Sequence, residues 1–214
     1  EGSTAVDESG TTDTFTVVLN AQPASDVALT ITSSDTGEAT VTSLITFTSA
    51  NWDTAQTVTV TGVDDDLIDG TISSTLTVAV LDSISDDDFD GVADQTVSVS
   101  TTDDDVAGFT VAETEGSTSV TEAGGTDTFT VVLNAQPDSN VVLSIASSDT
   151  GEATVTGTVT FTPANWDTAQ TVTVTGADDD LVDGTVSSTT TISVVDAASD
   201  NNFDGVADQT VSVS

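Results

Sequence analysis

The chain has 214 residues and carries 37 Asp and Glu against no Lys, Arg or His, for a formal net charge of −37. It has no basic footprint for phosphate backbones, which excludes nucleic acid, and no apolar run near the ~20 residues of a membrane span, which excludes membrane insertion. Without Cys, His or Lys it also lacks the usual zinc ligands, Ser–His and Cys–His catalytic pairs, and lysine Schiff bases.

High acidity with few aromatics is also a mark of disorder. The pattern points the other way, because alternating Thr/Val segments are bounded by Gly, Asn and Asp, the mark of strands and turns. Trp52 and Trp166, Phe89 and Phe203, and Gln95 and Gln209 each stand 114 residues apart, and residues 1–100 match residues 115–214 at 76 of 100 positions. A repeat of this length suits a β-sandwich of ~100 residues and is too long for helical or propeller repeats. The expected domains are 1–105 and 106–214.

In chain order, the first copy opens directly at the equivalent of Glu115, with nothing matching residues 101–114 ahead of it. That segment, TTDDDVAGFTVAET, occurs once, between the copies. Its part VAGFTVAE alternates and reads as the first strand of the second sandwich. The first sandwich is therefore expected to lack its N-terminal strand, as if cut from a longer array or completed by a neighbour. In the second copy the predicted strands are 106–113, 118–121, 127–133, 140–146, 153–161, 169–175, 186–195 and 209–213. Trp52 and Trp166 sit at turns ahead of alternating strands, where plugging the sandwich end is a better reading than sugar stacking.

The carboxylates gather in loops at fixed places in the repeat. One cluster is Asp64, Asp65, Asp66 and Asp69, with Asp178, Asp179, Asp180 and Asp183 in the second copy. Another is Asp103, Asp104 and Asp105 between the copies, and the third is 86–94 with its match at 200–208. Crowded carboxylates repel, and with no basic side chain the counter-charge must come from solution. Ca2+ takes six to eight oxygen ligands and suits such loops, with several ions per chain. A solvated acidic surface is the competing explanation, and it is preferred for scattered residues such as Glu38 and Asp82. In the third cluster Asp200, Asn202, Asp204 and Gly205 match the front of a D-x-[DN]-x-[DN]-G calcium loop, as do Asp86, Asp88, Asp90 and Gly91. The seventh-position carbonyl falls on Val92 or Val206, and Asp94 or Asp208 stands at the ninth position. The twelfth-position Glu is replaced by Val97 and Val211, so this is an EF-like loop between strands.

The stretches VTEAGGTDTFTVVL (120–133), SSDTGEATVTGTVTFTPANWDTAQTVTVTGADDDLVDG (147–184) and TTDDD (101–105) resemble the Calx-beta family. The resemblance implies two tandem immunoglobulin-like β-sandwiches with calcium held at one end by acidic loops, as in repeats of large bacterial surface proteins and adhesins. It implies ligand roles for Glu8, Asp35, Asp64, Asp65, Asp69, Asp103, Asp104 and Asp105 in the first copy. In the second it implies them for Glu122, Asp149, Asp178, Asp179 and Asp183.

The expected function is a calcium-binding structural repeat of a secreted or cell-surface fibre, stalk or adhesin. The expected partners are neighbouring repeats of the same or an identical chain, by strand addition or head-to-tail filament growth. A carbohydrate- or protein-binding module using the acidic loop end is the alternative. Paired carboxylates can hydrolyse glycosides, but these sit in repeated metal-like loops, so no enzyme is expected. Without cysteines the fold relies on metal rather than disulfides, in an extracellular setting. No signal peptide is visible, as expected of an internal or processed fragment. Asp105 runs straight into the next sandwich with no Gly/Ser linker. Changing Asp103, Asp104 and Asp105 together to Asn is expected to broaden the interdomain angle in calcium while both sandwiches stay folded. Solution scattering in calcium and in chelator checks this.

Overall fold

The run Gln-Thr-Val-Thr-Val-Thr-Gly occurs at 56–62 and at 170–176, and in both places it forms a strand that buries its two Val residues. Strand side chains alternate in direction, so Val enters a core while Thr covers the outer face. The computed structural model describes residues 2–180, 182 and 184–214. They form two all-β units. The first comprises Glu1–Asp65 and Asp69–Asp104, the second Asp66–Ile68 and Asp105–Ser214. No helix among the described residues is long and apolar enough to cross a membrane.

The first unit has eight strands: β1 (Gly2–Asp7), β2 (Thr12–Val17), β3 (Val27–Ser33), β4 (Ala39–Val41), β5 (Leu44–Phe47), β6 (Gln56–Gly62), β7 (Thr71–Val80) and β8 (Gln95–Thr102). They make a five-stranded sheet, β1-β8-β7-β3-β5, and a three-stranded sheet, β2-β6-β4. Between them lie Leu29, Ile31, Phe47, Leu76 and Val99 from one sheet and Val58 and Val60 from the other, all buried. β1 and β8 pair in parallel, from Gly2 opposite Val97 to Asp7 opposite Thr102.

The second unit has β9 (Phe109–Glu113), β10 (Thr126–Leu133), β11 (Val141–Ser147), β12 (Ala153–Val155), β13 (Thr158–Phe161), β14 (Gln170–Gly176), β15 (Ser188–Val194) and β16 (Gln209–Val213). Its sheets run β12-β14-β10-β9 and β13-β11-β15-β16. Phe109, Phe129, Phe161, Ile192 and Phe203 are buried in its core. Among the described residues the first unit has no counterpart of β9, so β2 is a sheet edge there where β10 is an interior strand.

Four strand expectations need correction. The strand expected over 106–113 begins at Phe109. The run 153–161 is two strands in different sheets. Thr156 N donates to Thr173 O (3.2 Å) in one sheet, and Gly157 O accepts from Ile145 N (3.0 Å) in the other. Alternation persists through this corner, so the pattern alone does not show the change of partner. The run 118–121 is reduced to one parallel bridge, Thr118 to Val213. The strand expected over 186–195 begins at Ser188, opposite Val213. In the first unit the matching strand starts earlier, because β8 continues to Thr102 opposite Thr71.

Near-identical copies make each unit a control for the other. Leu76 is fully buried, and its counterpart Thr190 is equally buried with a hydroxyl that has no hydrogen-bond partner among the described residues. An unpartnered buried polar group costs ~1–3 kcal/mol. Thr190→Val keeps the shape and removes the hydroxyl. It is expected to stabilise the second unit by ~1 kcal/mol, read from chemical denaturation.

Candidate metal centre

Five strand ends of the first unit converge on one cluster of carboxylates. Glu8 follows β1, and its N–H donates to Thr102 O (3.0 Å), carrying the parallel ladder one residue on. Glu38 immediately precedes β4, and its carbonyl accepts from Val63 N (2.9 Å) just past β6. Asp65 lies shortly after β6. Asp69 and Gly70 lead into β7, where Gly70 N donates to an Asp103 carboxylate oxygen (2.8 Å) just after β8. Gly62 makes the approach possible: a Cβ there would lie 2.1 Å from Asp7 O. Only glycine lets β6 pass this close beneath the residue that carries Glu8.

Glu8 is 1% exposed and Glu38 7%. Carboxylate oxygens of Glu8, Glu38 and Asp69 lie within 4.8 Å of one another. Neither oxygen of Glu8, nor Oε2 of Glu38, has a hydrogen-bond partner among the described residues. Burial pushes Glu8 up from 4.5 to about 7, reinforced by the charges of Asp69, Asp103, Asp65 and Glu38. Glu38 is also raised, first by burial and then by Asp69, Asp35, Asp65 and Asp103. At an effective dielectric of ~20, two like charges this close repel by ~3 kcal/mol. The donor set is carboxylate oxygen throughout, the chemistry of a hard divalent cation. Loops supplying several carboxylates suit calcium better than magnesium, which demands a tighter octahedron.

The residues expected as ligands distribute unevenly around this centre. Glu8 and Asp69 are in it, and Asp65 and Asp103 lie close enough to raise both glutamates. Asp35 is exposed, and its Oδ1 accepts from Gly37 N (3.0 Å). Asp64 and Asp104 are exposed, while Asp105 is half-buried and belongs to the second unit. Glu38, read from sequence as solvated surface, is buried in the middle of the group. The signal available was its place directly before the apolar start of a strand, Glu-Ala-Thr-Val, in both copies.

At the equivalent place in the second unit, Glu122 and Glu152 are both half-buried and line a cavity of about 260 Å³ with Thr121, Gly184, Val186 and Ser214. Asp149 repeats the Asp35 turn, with Oδ1 accepting from Gly151 N (3.0 Å). Asp178 and Asp179 are exposed, and Asp183 lies outside the described residues.

The EF-like loops are organised differently. Asp86 is buried, with one oxygen accepting from Ala24 N (2.7 Å) and Ser25 N (2.8 Å) and the other from Asp88 N (3.1 Å). These bonds, Ser25 foremost, hold Asp86 below the usual carboxylate range. Burial would raise Asp200, but bonds from Asn202 N (3.0 Å) and Ser139 N (2.8 Å) bring it below that range too. Each aspartate caps a 3₁₀ turn, Asp87–Phe89 or Asn201–Phe203, that turns a Phe toward the core. Asp88, Asp90, Val92 and Asp94 are exposed, as are Asn202, Asp204 and Asp208, while Val206 packs against the core.

No family model and no curated protein matches this chain. The chain is similar to the solved calcium binding domain CBD12 of CALX1.1, at 17% identity and a TM-score of 0.37, covering 89% of this chain and 77% of that one. It is also similar to domains 1–6 of the surface layer protein SbsC, at 20% identity and a TM-score of 0.40, covering 86% of this chain and 19% of that one. A third likeness is the YadV chaperone, at 11% identity and a TM-score of 0.37, covering 98% and 96%. At TM-scores this low the metal reading stands on the carboxylate geometry, and the Calx-beta likeness remains one of motifs.

The sign of the pH dependence follows from Glu8. In the metal-free protein its folded pKa, about 7, lies above its ordinary value of 4.5, so between these the folded state holds more protons than the unfolded one. Stability contributed by the protonated form is present at low pH and is lost as pH rises through 7. Glu8→Gln mimics the protonated side chain. In chelator it is expected to melt a few degrees above the parent at pH 8 and close to it at pH 5, checked by thermal unfolding at both values.

Proposed function

We propose that this protein is a calcium-binding structural repeat of a secreted or cell-surface fibre, stalk or adhesin. The observation that supports this reading best is Glu8. A carboxylate 1% exposed, with neither oxygen hydrogen-bonded among the described residues and other carboxylates within 4.8 Å, needs an external positive charge to be ionised. Calcium supplies two charges and accepts the oxygen-only donor set of Glu8, Glu38 and Asp69, with Asp65 and Asp103 beside it. The proposal does not extend to the oxygens of Asp86 and Asp200, which are committed to backbone N–H groups.

A centre assembled from five strand ends ties together loops that would otherwise repel. Its work is therefore structural: it converts a strained end of a sandwich into a rigid one wherever calcium is plentiful, as it is outside cells. The near-identical tandem copies suit a protein that extends by repetition rather than one that varies its loops to recognise many ligands.

Thermal unfolding in calcium and in chelator at matched ionic strength tests the reading. Calcium at a hundredfold excess over Kd is expected to stabilise the first unit by ~2.7 kcal/mol. Glu8→Gln and Glu38→Gln should each remove most of that increment. Equal melting temperatures in calcium and chelator would overturn the proposal.

A further inference from the structure

Aspartate is followed directly by glycine at Asp69-Gly70, Asp90-Gly91, Asp183-Gly184 and Asp204-Gly205. At such a pair the glycine N–H can attack the aspartate's own side-chain carboxyl carbon. A C–N bond forms, a C–O bond breaks and water leaves, giving a five-membered succinimide. Water then opens the ring at one of its two carbonyls. Opening at the side-chain carbonyl restores aspartate, and opening at the main-chain carbonyl gives isoaspartate, whose backbone runs through the β-carbon. One water leaves and one returns, so the mass is unchanged and no co-reactant is needed. Glycine favours the closure because it has no Cβ to obstruct the rotation. Closure also needs a glycine N–H that is not already committed.

The structure separates these pairs. Asp90 and Asp204 are exposed, as are Gly91 and Gly205. Each aspartate stands just past a 3₁₀ turn, at φ −59° and ψ −26° or φ −58° and ψ −26°. Each corner is closed by one backbone bond, Val92 N to Phe89 O (3.0 Å) or Val206 N to Phe203 O (3.1 Å). Inside that bond the N–H groups of Gly91 and Gly205 have no hydrogen-bond partner among the described residues. No atom lies within 4 Å of the place a Cβ would take on either glycine, and neither has a positive φ. An exposed corner of this kind opens locally without unfolding the core. Gly70 is the opposite case. Its N–H donates to an Asp103 carboxylate oxygen (2.8 Å), and the Asp69 carboxylate is gathered with Glu8 and Glu38. Asp183 lies outside the described residues.

We infer that Asp90 and Asp204 are sites of spontaneous isoaspartate formation, one at the same place in each repeat, and that Asp69 is shielded from it. The change falls where the fold feels it. It adds one backbone atom immediately after Phe89 or Phe203, in the turn that Asp86 or Asp200 caps. Phe203 is fully buried, so its turn is a point at which slow surface chemistry reaches the core.

The test incubates the whole chain for several weeks at physiological temperature and neutral pH in chelator. Trypsin has no site in a chain without Lys or Arg. An endoproteinase that cuts ahead of aspartate but not ahead of isoaspartate reads each position, and an isoaspartyl methyltransferase with a labelled methyl donor confirms the product. Cleavage ahead of residues 90 and 204 is expected to fade at constant mass. At residue 69, where a hydrogen bond to a charged group must first break, conversion is expected to be at least ~10-fold slower. Gly91→Val with Gly205→Val leaves both aspartates readable, and is expected to slow their conversion at least ~10-fold by obstructing the ring closure. No isoaspartate at 90 or 204 would overturn the inference. So would equal rates at 69, 90 and 204, or rates at 90 and 204 that ignore the glycine substitutions. With calcium absent throughout, the result does not depend on whether the acidic centre binds it.

Discussion

Every buried carboxylate in this chain must be satisfied without a basic side chain, because the sequence contains none. That constraint organises the structure. One solution is backbone N–H. Asp13 accepts from Ala5 N (3.0 Å), linking β2 to β1 across the two sheets, and Asp127 accepts from Ser119 N (2.8 Å) at the same place in the second unit. Asp86 and Asp200 take two or more backbone donors each, and their pKa values fall as expected for carboxylates with fixed dipoles. The other solution is an ion. Glu8 and Glu38 are as deeply placed as Asp86, yet both oxygens of Glu8 and one of Glu38 have no hydrogen-bond partner among the described residues, and their pKa values rise. At Asp86 and Asp200 backbone N–H groups face the carboxylate, whereas at Glu8 and Glu38 other carboxylates do.

The repeat and its missing strand were legible because near-identity turns fold recognition into a matter of register. The strand faces were equally plain, since Thr/Val alternation has one consistent reading. Glu8 was reached through motif resemblance. Glu38 was not found, because a single carboxylate among polar residues says nothing of its depth. Its burial depends on β4 pairing with β6, Ala39 opposite Gly62, which brings together residues far apart in the chain. The 86–94 loop shows the opposite difficulty. The spacing of a calcium loop and that of an Asp-capped 3₁₀ turn coincide here. The spacing does not show that Asp86 accepts from the N–H groups of Ala24 and Ser25, about sixty residues away.

The differences between the copies are as informative as their likeness. Where β8 continues to Thr102, β7 is ten residues long and the acidic cluster closes around Glu8. In the second unit β15 is seven residues long, and Glu122 and Glu152 line a cavity. Likewise, burial of Phe129, Val131 and Leu133 against the partial burial of their counterparts follows from one added strand.

The parallel pairing of β1 with β8 has a mechanical meaning. Gly2 stands at one end of the ladder and Thr102 at the other. Tension along the polypeptide therefore drags the two strands past each other along their length. The paired residues from Gly2 to Asp7 resist together in shear, whereas a hairpin pulled from its open end peels one bond at a time. Glu8 sits at the upper end of this ladder, so an ion held there would act as a bolt through the element that carries the load.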